Sequence, residues 1–392
     1  MVFAVLRTQE LTFTLMLRLF RLSLPLLMLA PALLAETPPA PAAGQLAFLR
    51  CQDEEKVASM QTLSEEFKPA DGRGPSIWLI GVAHIGTPEY YAALQKKLDV
   101  QSTVLYEGVG EEKLKDGIKP DTKNGLQGKL ATALGLVFQL DGIDYQRRNF
   151  VNCDLTLAGL EKAIADQESK SSAPEPKPGE KPVSADPTAP SVDEKSSGSK
   201  LPAKVDNTTF NTLMQAIHGE GDINRQLDGM LGAMGSTPEM RETMKLTFIE
   251  TFGQAGDLID LAKSASPEIR NLFEVLVTER NENVIRQLKA RLPRLGSGGT
   301  IAVFYGAAHM DQIAERLTKD LHYTPGVQEW DTAFTADTAK SMMPPAQIKA
   351  LVQMMRMQLQ NMKAGKGGGG LEGLLNLPGL QGDEEKAAEP GK

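Results

Sequence analysis

Two stretches of the chain repeat one local design. Gly-Val-Ala-His at Gly81–His84 and Gly-Ala-Ala-His at Gly306–His309 each follow an apolar run, Ile77–Ile80 and Ala302–Tyr305, and each precedes a helical pattern. Short apolar runs bounded by glycine read as buried strands, and strands alternating with helices argue for an α/β sheet. The glycine lets the backbone turn or approach closely at the strand end. The small alanine leaves room for a neighbour or a ligand, and the histidine is delivered at the carboxyl end of the strand. The chain has only four histidines, and two of them occupy this one position.

Other segments fit the same plan. Strands are expected at Ser76–Gly81, Thr103–Tyr106, Phe150–Cys153, Thr300–Tyr305 and Val327–Phe334, with helices at Pro88–Leu98 and Asp311–Leu321 between them. The stretch Asn207–Leu292 reads as helical. Its clearest part is Pro267–Leu292, with proline suited to a first turn and an apolar stripe of Leu272, Phe273, Leu276, Val277, Val284, Ile285 and Leu288. A further helix, rich in Met and Gln, is expected within 341–363. The fold class is therefore α/β: a central mixed sheet carrying strand-Gly-x-x-His-helix units and a largely helical middle segment.

About 250 to 280 residues are left for one core, set roughly at 44–334, because parts of the chain do not read as domain. Residues 169–204 carry seven prolines among Ser, Lys, Glu and Asp with no aromatic residue, too little apolar surface to offset the entropy of ordering. They read as a disordered insertion, and the Gly-rich, then acidic stretch 364–392 as a disordered tail. At the other end, Leu22–Leu34 is a short apolar run behind Arg18 and Arg21 with Ala35 after it. That order is the pattern of a secretory signal over 1–35, with Met16 as an alternative start and an uncut anchor as the other reading. It implies an exported protein, periplasmic or extracellular, with no membrane span after the signal segment. A net charge of −8 and no basic stripe argue against a nucleic-acid partner. Cys51 and Cys153 are the only cysteines. They could pair in an oxidising compartment or stay free, and no Cys-x-x-Cys offers a thiolate zinc site.

Two more expected strands end in acids, Glu107 after Thr103–Tyr106 and Asp154 after Phe150–Cys153. Ligands of open α/β sheets bind beyond the carboxyl ends of the strands, so His84, Glu107, Asp154 and His309 are expected on one side of the sheet. Two imidazoles with one or two carboxylates can hold a divalent metal, which polarises a carbonyl or lowers the pKa of a water. Plainer readings stand beside this one. A strand-end histidine is often structural, Glu107 can cap a helix, and Asp154 reads more naturally as an N-cap because Leu157 and Leu160 follow at helical spacing. Arg280 lies on the apolar stripe, where it must snorkel or pair with a buried acid; orienting Glu107 and holding a substrate carboxylate are both open to it. His218 and His322 lack such context and read as surface or packing residues.

At these residues the chain resembles the TraB/PrgY/GumN family, which includes the TIKI metalloproteases. The matching pieces are GVAHIG at Gly81–Gly86, LYEGV at Leu105–Val109, ERN at Glu279–Asn281 and GAAHM at Gly306–Met310. The resemblance implies a metal site of His84, Glu107 and His309, with Glu107, Arg280 and Asn281 in catalytic roles and Mn or Co as the ion. It departs at Val82, where many relatives carry Thr.

Two functions follow as expectations. The first is an exported metal-dependent hydrolase acting on peptides or a small molecule, with Glu107 as ligand or as general base. The second is a non-catalytic periplasmic binding protein that sequesters a peptide or small ligand in the same cleft. An esterase-like enzyme without metal ranks last, because no Gly-x-Ser-x-Gly elbow is present.

Overall fold

A computed structural model describes residues 46–108, 125–156, 158–160, 162–164, 166, 231–232, 235, 237–253 and 274–363. The expected leader 1–35, the insertion 169–204, the tail 364–392, most of the helical segment before 237 and the Pro267 helix start lie outside these residues.

The chain enters through a hairpin that the sequence reading missed. Strand β1 (Leu49–Glu54) pairs antiparallel with the 13-residue β2 (Val57–Pro69). The inward positions of β2 include Thr62 and Ser64, both fully buried. These polar residues break the apolar alternation by which a half-buried strand is recognised. They are tolerated because they are bonded: the Thr62 hydroxyl meets the Tyr90 hydroxyl at 2.8 Å.

Beyond β1 on the same edge, β2 pairs antiparallel with β3 (Ser76–Val82), while the later strand Tyr323–Asp337 runs along its opposite edge. A two-residue strand β4 (Ile85–Gly86) and helix α1 (Pro88–Asp99) follow. Thr87 caps α1, its side chain accepting from the Tyr90 N–H, with Pro88 in the first turn and Lys96 and Lys97 in the last. Next come β5 (Thr103–Tyr106), α2 (Leu126–Leu134), β6 (Val137–Phe138), the single turn α3 (Gln139–Gly142) and β7 (Phe150–Asn152). Helix α4 spans Pro238–Phe252. A π-helical stretch, Glu274–Glu279, then runs into α5 (Arg280–Arg291). The chain closes with β8 (Thr300–Gly306), α6 (Ala307–Leu321), the 15-residue β9 (Tyr323–Asp337) and α7 (Pro345–Lys363).

Seven strands form one mixed sheet. β3, β8, β5 and β7 lie side by side and run parallel; β2 joins β3 antiparallel, with β1 and β9 antiparallel to β2. β4 and β6 make a separate two-stranded ribbon. β8 lies at the centre. Ile301, Ala302, Val303, Phe304 and Tyr305 are all fully buried, as expected for a parallel strand covered on both faces. Burying Ile301, Val303 and Phe304 contributes about 1.5–3 kcal/mol each.

Three expectations are adjusted. The Val327–Phe334 strand extends to Tyr323–Asp337, and α6 begins at Ala307 rather than Asp311. The helix expected without interruption to Leu292 contains the π stretch, which adds a residue to a turn and shifts the buried stripe. Val275 is fully buried, while Leu276 and Val277 are only half-buried. Ile348 and Val352 of α7 are buried in the main core, where α7 packs against α4. Among the described residues no helix is long and apolar enough to cross a membrane.

Candidate functional site

The two histidine motifs lie on neighbouring parallel strands. β3 and β8 pair with Gly81 opposite Tyr305 and Val82 opposite Gly306, a stagger of one residue between the motifs. The echo ends there. His309 sits in the first turn of α6, whereas His84 lies at a bend between β3 and β4, with α1 starting only at Pro88. β5 flanks β8 on the other side, and the Glu107 N–H donates to the Phe304 carbonyl at 3.1 Å, which continues the ladder. His84, His309 and Glu107 thus leave three adjacent strands at the same end.

Glu107 is the hub. Its Oε1 accepts from Arg280 Nη2 at 2.6 Å and lies 3.7 Å from His309 Nε2; its Oε2 accepts from the Gly306 N–H at 2.7 Å. A Cβ on Gly306 would stand 3.3 Å from both Glu107 Oε2 and His84 Nε2. The absence of a side chain at Gly306 therefore keeps open the gap between carboxylate and imidazole. Burial pushes the Glu107 carboxyl up, but Arg280, the two histidines and the Gly306 N–H together hold it well below the usual carboxylate range.

Asp154 does not join the histidines. Its side chain is fully enclosed and takes Arg280 in a two-pronged contact, Oδ1 to Nε at 2.9 Å and Oδ2 to Nη2 at 2.6 Å. It also accepts from the backbone N–H groups of Gly108 and Leu155. Arg280 gives its remaining described contact to the Leu276 carbonyl. The Arg280 donors are turned to Glu107, Asp154 and the Leu276 carbonyl.

Each histidine is held from behind by a side-chain amide. Asn281 donates from Nδ2 to Gln312 Oε1 at 2.6 Å and to the His309 carbonyl at 3.3 Å, so its Oδ1 accepts from His309 Nδ1 at 2.8 Å. Gln139 donates from Nε2 to the Tyr145 hydroxyl at 2.7 Å, so its Oε1 accepts from His84 Nδ1 at 2.8 Å. With the proton on Nδ1, the Nε2 lone pair of His309 is directed at Glu107 and that of His84 borders the same gap. Burial holds the His309 imidazole down, to about 4, against the opposing pull of Glu107. It is neutral at ordinary pH.

The sequence reading singled out His84, Glu107, Arg280, Asn281 and His309, and the structure brings all five together. It missed Gln139 and Tyr145, which no motif marks. Cys51 and Cys153 are both free, and burial pushes each thiol up to about 12. His322 is exposed and ends α6 in the left-handed conformation, φ 58°. His218 lies outside the described residues.

Among the described residues no group of three or more His, Cys, Asp and Glu side chains is set for a shared metal ion. Both Glu107 oxygens are engaged by Arg280 and Gly306. The donors nevertheless suit a divalent cation in kind, two imidazole nitrogens and one ionised carboxylate, and Gly306 leaves their gap unfilled. Comparison with protein-family models, curated proteins and solved structures finds no match.

Proposed function

We propose that the protein is an exported TraB/GumN-like hydrolase that acts on peptides with a divalent cation, Mn or Co, held by His84 and His309 beside Glu107. One observation supports this reading above the others. His84 Nε2 and Glu107 border the gap at Gly306, and His309 Nε2 lies 3.7 Å from the same carboxylate, at the carboxyl ends of β3, β8 and β5; these are donor types a divalent cation takes. The peptide substrate, the family and the choice of ion rest on the resemblance of the motifs at Gly81–Gly86, Leu105–Val109, Glu279–Asn281 and Gly306–Met310.

When bound, such an ion polarises a carbonyl or a water molecule. The chain's own residues prepare the place. Gln139 and Asn281 aim the imidazoles. Arg280 and the Gly306 N–H keep Glu107 ionised at any ordinary pH. A carboxylate so strongly stabilised is a poor proton acceptor, which favours Glu107 as an anionic ligand over Glu107 as general base.

Metal content and thermal stability of the protein in Mn or Co, beside a His84→Ala/His309→Ala double variant, test the reading. Stoichiometric metal in the wild type, lost in the variant, supports it and opens a peptidase screen. If neither protein takes up metal or gains stability, the reading falls. A non-catalytic protein that sequesters a peptide or small ligand is then favoured.

A further inference from the structure

We propose that Gln139 is a positioning residue for His84: its side-chain oxygen holds the imidazole as the Nδ1–H tautomer and turns Nε2 toward Glu107. The β4–β6 ribbon pairs Ile85 with Phe138 and Gly86 with Val137. The Gln139 N–H donates to the His84 carbonyl at 2.8 Å, so the two residues form the next rung. Their side chains then meet at 2.8 Å, Nδ1 to Oε1. Backbone and side chain tie the same pair together.

The amide is itself fixed. Gln139 is 3% exposed, and its Nε2 donates to the Tyr145 hydroxyl at 2.7 Å. Tyr145 packs its ring against Tyr106 at 4.9 Å and Phe150 at 5.8 Å. The structure sets the amide with Nε2 on the Tyr145 hydroxyl and Oε1 on His84 Nδ1. An amide oxygen only accepts, so Nδ1 carries the proton. His84 is the more exposed of the two site histidines and has the greater need of such a tie. The consequence for metal affinity rests on the function proposed above; the tautomer does not.

The experiment uses the metal-free full chain. Long-range proton–nitrogen spectra of the His84 ring, identified by its loss in His84→Gln, report the tautomer directly. Wild type is expected to show a protonated Nδ1 and a bare Nε2. Gln139→Met keeps the volume and removes the acceptor, so the ring is expected to shift toward Nε2–H and Mn affinity to weaken by about 10- to 100-fold. Gln139→Glu keeps an oxygen in place, with the Tyr145 hydroxyl turned to donate, and is expected to retain the wild-type tautomer and affinity. Should Gln139→Met fail to fold, Tyr145→Phe replaces it: losing the anchor alone is expected to give a smaller shift in the same direction. A wild-type His84 protonated on Nε2, or a tautomer unchanged in the folded variants, overturns the proposal. The expected tautomers without any Mn binding sustain the positioning role of Gln139 and overturn the metal reading instead.

Discussion

Arg280 and Glu107 form an ion pair almost closed to water, Nη2 to Oε1 at 2.6 Å, with side chains 7% and 12% exposed. Arg280 shares the same nitrogen with Asp154 at 2.6 Å, so one guanidinium balances two buried acids. Burial draws its pKa down, but the two carboxylates outweigh that and raise it. Such a group is costly to bury alone and costly to remove once its partners are buried.

Arg280→Met is therefore expected to destabilise the protein by about 3–5 kcal/mol, because it strands the two carboxylates. Arg280→Lys is expected to recover only part of this, since an ammonium lacks the fork that reaches both acids. Urea unfolding of the three proteins measures it. A loss below about 1 kcal/mol in Arg280→Met would mean the acids find other partners or protons.

The two motif glycines are expected to separate stability from function. A Cβ at Gly81 meets the Leu63 carbonyl at 3.2 Å and Ala307 at 3.5 Å, all packed structure. Gly81→Ala should cost about 1–3 kcal/mol and leave ligand binding near normal in the folded fraction. A Cβ at Gly306 meets Glu107 Oε2 and His84 Nε2 instead. Its φ of −49° suits alanine, so Gly306→Ala should fold and lose binding of Mn at the site. Calorimetry of binding beside thermal melts distinguishes them, and equal effects of the two substitutions would refute the division.

The neutral, buried His309 predicts an acid-sensitive fold. Unfolded, this histidine takes up a proton near 6.5; folded, only near 4. The unfolded state thus binds more protons between these values. Its contribution to stability is complete above about pH 6.5 and is lost as pH falls toward 4, with a slope approaching about 1.4 kcal/mol per pH unit. Glu107, whose folded pKa is depressed, adds a loss of the same sign at more acid pH. Urea midpoints of metal-free protein from pH 7 to pH 4.5 should fall in wild type and flatten in His309→Gln. Parallel curves would exclude His309 as the cause.

Helix α7 is expected to belong to the folded body. Ile348 is fully buried in the main core, so Ile348→Ala should cost about 2–4 kcal/mol. Leu351→Ala, at an exposed position of the same helix, should change stability by less than about 0.5 kcal/mol. Equal small effects in melts of both variants would place α7 outside the cooperative unit.

The parallel strands were legible in the sequence because a strand buried on both faces must be apolar throughout, as Ile77–Ile80 and Ile301–Tyr305 are. The same logic hid β2, whose inward Thr62 and Ser64 are polar yet buried. Only partners from distant segments, such as Tyr90, make that burial tolerable. The site divides in the same way. Residue type and strand-end position marked His84, Glu107 and His309, and an arginine on an apolar stripe marked Arg280. Local pattern carried all of these. It could not carry the strand order that sets β8 between β3 and β5, nor the direction of each side chain. Asp154 was drawn to Arg280 and away from the histidines, and Gln139 reached His84 across 55 positions of chain. Hydrogen bonds between side chains far apart in sequence leave no periodicity behind, so tertiary structure alone decided which atoms face one another.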